Sequence, residues 1–225
     1  FPVTTASYVK GRKQELQKTL VLGTRYTLLM GIPACVILGF LADPIIRIWV
    51  RRSLGDNYVI TARVLAGWAI IDLFGYASGA QWAVLLGMDR LNFLLWTTVP
   101  FAIINLLVSI ILVGYTSMGV LGVVLATVVI SIIRRPVLIV YTAHVTGMPA
   151  RAYFHGAYKR PILVLLILSL CACAVLTGWP LRSPVGVACG VLVLCLAWVP
   201  LCWWVGFDSS DRFRFLALIR KVISR

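Results

Sequence analysis

Three charged side chains stand inside long apolar runs of this 225-residue chain: Arg25, Arg63 and Asp72. A guanidinium in such a place can hold an anion through paired N–H donors. A carboxylate there needs a partner, a proton or water, and can titrate. Arg25 lies in "VLGTRYTLLMGIPACVILGFLA", residues 21–42, and six residues into the apolar run that starts at 19, about 9 Å at 1.5 Å per helical residue. It either snorkels to the headgroups or faces a wet cavity and binds an anion. At about 100° per residue, Arg63, Gly67, Ile70, Phe74 and Gln81 share one narrow helical stripe, with Ser78 at its edge. That stripe borders a cavity or sets its polar ends at two interfaces. The opposite face carries Trp68, Asp72, Tyr76, Gly79 and Ala83, with Gly75 at its edge. Gly75 and Gly79 form a G-x-x-x-G, a spacing that admits a second helix at close range. Asp72 is either a titrating group or a hydrogen-bonded structural one.

The solvent around these residues follows from composition. Hydrophobic types make up 61% and charged types 12%, and the mean hydropathy is +0.97. A soluble domain is about 25% charged. An apolar excess this large belongs in lipid. Six runs reach the roughly 20 apolar residues that a spanning helix needs: 19–43, 60–87, 92–114, 118–143, 161–178 and 184–206. Every backbone amide in hydrocarbon must be paired within its helix or a closed barrel, and uninterrupted runs of this length favour helices. The expected fold is all-α, a polytopic membrane helix bundle. The remaining stretches are a linker with the end of a preceding helix (1–18), a basic loop (144–160) and a basic tail (207–225). "RRP" at 134–136 is read as the point where the fourth helix leaves the oil. The runs 161–178 and 184–206 hold no charge and are expected to face lipid. The tail is read as an amphipathic surface helix or as a solvated segment.

Lys10, Arg12, Lys13, Lys18, Arg90, Arg134, Arg135, Arg151, Lys159 and Arg160 fall at one set of helix ends, with the basic tail. Arg47, Arg51, Arg52 and Arg182 fall at the other. The majority marks the cytoplasmic side, so both termini of this segment are expected there. The three arginines at 47–52 run against that rule. Pro33 and Pro100 each free a carbonyl inside a helix, which must find another partner. Thr98, Ala102, Asn105 and Ser109 share a face suited to interhelical hydrogen bonds, with Asn105 a packing residue.

The net charge of +14 raises the question of nucleic acid. The cations lie between apolar runs rather than on a basic helix with stacking aromatics, which excludes that class. The six cysteines all lie in apolar runs, and the CxC at 171–173 lacks a second ligand pair, so they read as packing residues with no metal. His144 and His155 are isolated, and there is no G-x-S-x-G, H-E-x-x-H or Walker loop. The chain is not expected to be an enzyme and no cofactor is expected. Transport would run on a gradient or on the substrate's own fall in free energy.

Several stretches carry a likeness. "FPVTTASYVKGRKQELQKTL" has a helix-end Pro, a small-residue run and a basic linker. "RYTLLMGIPACVILGFLADPIIRIWV" has a mid-helix Pro and a trailing "IIRIW". "VLLGMDRLNFL" is a helix–Gly–Arg turn, and "INLLVSIILVGYTSMGVLGVVLAT" joins an Asn-containing helix to a Gly-x-x-Gly helix start. Together, over residues 1–145, they resemble the carboxyl-terminal half of polysaccharide and lipid-linked oligosaccharide flippases, relatives of multidrug exporters. Arg51 and Arg52 depart from the pattern, standing where the family often has Gly.

The resemblance implies a larger two-lobe transporter of fourteen helices. Four helices of this chain (19–143) would belong to the second lobe and two (161–206) would be extra. It implies alternating-access flipping of an anionic polyprenyl-linked oligosaccharide in the inner (cytoplasmic) membrane, for cell-surface polysaccharide. The family's cationic cavity residues would make Arg25 and Arg63 substrate ligands. Gln81, on the Arg63 stripe, is a further substrate-binding candidate, and Asp72 is the candidate for coupling an ion or proton, though no family motif places it there. Partners would be the lipid-linked oligosaccharide, membrane lipids, the amino-terminal lobe of the same protein and polysaccharide synthesis proteins. The rival readings are a drug or cation exporter, whose site needs carboxylates, and a non-transporting membrane subunit of a synthesis complex.

Overall fold

The structure, a computed structural model, describes residues 2–209 and 211–212. They form helices throughout, with no strand among them: α1 (Pro2–Val9), α2 (Lys13–Phe40), α3 (Ala42–Leu54), α4 (Tyr58–Gly87), α5 (Leu91–Tyr115), α6 (Val120–Val145), α7 (Ala150–Ala157), α8 (Lys159–Gly178) and α9 (Pro184–Leu201). A 3-10 turn (Gly55–Asn57) precedes α4 and a π turn (Cys202–Gly206) follows α9. Six stretches are long and apolar enough to cross a bilayer. The chain is an all-α, multi-pass membrane bundle.

The path follows from the close approaches. α2 and α4 run antiparallel: a Cβ on Gly23 would stand 2.9 Å from that of Ala80, and one on Gly39 would meet Ala69 at 3.8 Å. Midway, Gly31 lies flat against the Tyr76 ring, where a methyl group would overlap it. α6 crosses α4 where Val124 enters the space over Gly67. The bundle therefore has a near end, holding residues 10–13, 87–91, 145–159, 207–209 and 211–212. Its far end holds residues 40–58, 115–120 and 178–184.

Two stretches expected as loops are helical. α3 buries Ala42 and Ile46 against Ala62 of α4 and leaves Arg51 and Arg52 exposed, so it is amphipathic rather than apolar. α7 lies within the expected loop 144–160 and is anchored by fully buried Tyr153 and Ala157. α6 runs through "RRP" to Val145 with Pro136 inside the helix, in keeping with the expected run 118–143. α8 and α9 face lipid on one side only. Val164, Leu168 and Ala172 of α8 and Leu194 of α9 are fully buried and share a core with Leu29, Ile32 and Val36 of α2. Leu170 and Leu196 point outward.

Pro33 has no amide hydrogen for the Leu29 carbonyl one turn back. The indole Nε1 of Trp198, on α9, donates to that carbonyl at 3.0 Å. Asn105 donates to Thr127 Oγ1 at 3.3 Å and joins α5 to α6. The tail expectation falls largely on residues 213–225, including Arg214, Arg220, Lys221 and Arg225, which lie outside the described residues.

Candidate functional site

Toward the near end α4 and α6 part around a cavity of about 70 Å³. Ser78 and Trp82 of α4 face Ser131, Arg134, Arg135 and Leu138 of α6 across it. The volume suits several waters or one small polar group. Helical spacing puts Ser131, Arg134, Arg135 and Leu138 on neighbouring turns of one side of α6.

Arg134 donates from Nη2 to Thr98 Oγ1 of α5 at 2.7 Å, and its guanidinium lies 5.8 Å from the Trp82 ring centroid. Arg135 lies 5.5 Å over the Phe74 ring. Aromatic faces steady a guanidinium without consuming its N–H donors. Arg134 Nε and Arg135 Nε and Nη1 are buried and bonded to nothing. No ion pair among the described residues involves either arginine. An unpaired buried donor of this kind costs about 1–3 kcal/mol, and more when it is charged. Three of them beside one cavity form a lining ready for an anion's oxygens.

A polar layer backs the cavity. Gln81, fully buried on α4, donates from Nε2 to Tyr158 Oη at 3.2 Å. Tyr153 Oη and Thr24 Oγ1 are 2.8 Å apart. The two tyrosine rings meet edge to face at 5.8 Å. Burial, the leading cause, raises the pKa of both phenols, so they remain neutral hydrogen-bonding groups beside Arg135.

The residues singled out by sequence are not gathered in one place. Gln81 sits in the layer just described, sealed from solvent, with Oε1 unpartnered. Arg63 is exposed on α4, about 22 Å along the helix from Ser78. Asp72 is exposed on the outer face of α4. Gly75 and Gly79 share that face, and a Cβ at either would meet nothing within 4 Å, so no helix among the described residues fills their seam.

Arg25 has found an anion within its own chain. Its Nη1 pairs with Asp211 Oδ2 at 2.9 Å. Its Nε and Nη2 donate to the Gly156 carbonyl at 3.0 and 2.6 Å. Tyr26 donates to Asp211 Oδ1 at 2.9 Å. Alongside, Arg160 donates to Asp208 Oδ1 at 2.9 Å and to the Phe207 carbonyl at 2.7 Å. These bonds fasten the segment after α9 to α2, α7 and α8. Arg25 and Asp211 also border a cleft of about 320 Å³ at the near end, lined by Gln14, Gln17 and Lys18, so the pair lies at the edge of an open space with the guanidinium already engaged.

In the sequence Arg134 and Arg135 count only among the cations near helix ends, where the fourth helix leaves the oil; that both line a cavity with α4 depends on tertiary packing. Among known proteins, no family model, no curated protein and no solved structure matches this chain.

Proposed function

We propose that this chain is the carboxyl-terminal part of an alternating-access translocator that flips an anionic polyprenyl-linked oligosaccharide across the inner membrane for surface polysaccharide. In this reading Arg134 and Arg135, rather than Arg25, hold the phosphate of the cargo. The carrying observation is the set of three buried guanidinium nitrogens without acceptors, beside a cavity that no carboxylate lines. Trp82, Phe74 and Thr98 fix the two guanidinium groups and leave those donors free. Donors held in place bind a phosphoryl group with little loss of side-chain entropy. The cavity admits the charged group alone, so the sugar and the polyprenyl chain would stay outside it. The uncovered face of α4 around Gly75 and Gly79 is where the other lobe would pack, and the cations of the near end favour the cytoplasm there.

A cation exporter would put carboxylates in this cavity, and the one carboxylate of α4, Asp72, points away from α6. A non-transporting subunit would gain nothing from unpaired buried charges.

The test uses the full protein in cells whose surface polysaccharide depends on it. Arg134→Gln/Arg135→Gln should insert at normal levels, abolish the polymer and weaken binding of a polyprenyl pyrophosphate in detergent at least tenfold. Arg63→Gln should do neither. Normal polymer and unchanged binding in the double variant would overturn the assignment.

A further inference from the structure

The far end of the bundle carries a second concentration of charge, unrelated to the α4–α6 cavity. Arg47 and Arg51 stand one turn apart on α3, with Arg52 beside them, and Arg182 comes from the α8–α9 turn. All four line a cleft of about 440 Å³. Arg47 and Arg182 also line a neighbouring cleft of about 630 Å³, bounded by Trp179 and by Asp43. The two clefts share these walls and form one groove between α3 and the α8–α9 turn.

The groove is braced from within. Arg47 Nη2 donates to the Leu181 carbonyl at 2.8 Å and ties α3 to the turn. Ser183 caps α9 by accepting from the Gly186 amide at 3.0 Å, which sets the turn's shape. Arg51, Arg52 and Arg182 have no hydrogen-bond or ion-pair partner among the described residues; Arg51 rests 5.7 Å over the Tyr58 ring. Like charges one turn apart repel, and Asp43 is the one carboxylate on the groove's walls. Four guanidinium groups with three unpaired form a site for a multiply hydrogen-bonding anion, and guanidinium matches phosphate geometry.

The surroundings identify the source. Trp49, 79% exposed, stands on the same helix as the arginines, at the end of the spans where a tryptophan meets headgroups. A short amphipathic helix with exposed Trp and Arg belongs in the interfacial plane. We propose that this groove binds the phosphate of an anionic lipid headgroup, with Arg51, Arg52 and Arg182 as its ligands and Arg47 holding the wall. The inference requires membrane insertion and nothing of the α4–α6 cavity.

The experiment uses the full chain, delipidated in a non-ionic detergent and titrated calorimetrically with dioctanoyl phosphatidylglycerol. Binding should weaken about tenfold for each arginine removed in Arg51→Gln, Arg52→Gln and Arg182→Gln. It should also weaken as salt is raised. The three side chains make no internal hydrogen bonds, so the variants should keep the parent's melting temperature. Inorganic pyrophosphate is the second probe: failure to compete supports a lipid headgroup, and competition supports the same phosphate chemistry from a free anion. Equal binding of zwitterionic dioctanoyl phosphatidylcholine, no binding of either anion, or unchanged affinity in the triple variant would each overturn the proposal.

Discussion

Loss of activity on replacing Arg25 would not distinguish a cargo ligand from a structural tie; the contacts of Asp211 make the distinction possible. Arg25 is 8% exposed and Asp211 4%. Removing the arginine leaves a buried carboxylate whose remaining partners among the described residues are Tyr26 Oη and the Asp208 amide, the latter at 3.2 Å. Breaking a buried pair by deleting one partner costs about 3–5 kcal/mol. A chain of this size shifts by about 2–4 °C per kcal/mol, so Arg25→Met should lower the melting temperature in detergent by about 6–20 °C. Asp211→Asn keeps the shape and one acceptor, and should cost about 1.5–3 kcal/mol, the worth of a charged hydrogen bond. Arg25→Met/Asp211→Leu removes both charges and should be more stable than Arg25→Met alone, with a coupling energy above about 1 kcal/mol. Tryptophan fluorescence during heating reads all three. A melting temperature for Arg25→Met within 2 °C of the parent, on the order of measurement error, would refute the reasoning. So would strict additivity in the double variant. If the pair is a fastening, Asp211→Asn should also reduce activity in proportion to its stability.

Two further predictions concern the packed interior. Trp198→Phe leaves the Leu29 carbonyl without its donor and should destabilise by about 1–3 kcal/mol. Adding Pro33→Ala restores an amide to that carbonyl and should recover part of the loss, whereas two independent losses in the melting curves would count against the exchange. Tyr153 and Tyr158 have pKa values raised by burial above the ordinary tyrosine value of 10.0. The unfolded chain then releases these protons first, so stability is full below pH 10.0 and falls as pH rises above it. Tyr158→Phe should flatten that fall, and a slope unchanged in the variant would contradict it.

The helices were legible because hydrocarbon leaves the backbone no alternative, and a run of 20 apolar residues can be counted. α3 was not, because "RRSLGDN" has the composition of a loop; the apolar side of Ala42 and Ile46 against Ala62 of α4 is what holds it as a helix. α7 was hidden in a basic stretch for the same reason, its helix held by tertiary burial of Tyr153. Pro33 announced that a carbonyl needed a donor, but nothing local names a residue 169 positions away. Arg25 was recognisable as unusual, and its partner was not, since Asp211 lies 186 residues along the chain. Asn105 was readable because its partner comes from the adjacent helix. Arg134 and Arg135 were readable only as cations where the fourth helix leaves the oil; that they meet Trp82, Phe74 and Thr98 depends on neighbouring helices that the local sequence does not name.

The exchange at Pro33 also bears on motion. A proline bend ordinarily acts as a swivel, free to open or close as its neighbours shift. Here the indole of the last spanning helix holds the carbonyl that Pro33 leaves free, so a flexing of the first spanning helix at that point must either break this bond or take the last helix with it. Any rocking of this bundle should therefore carry those two helices as a single lever.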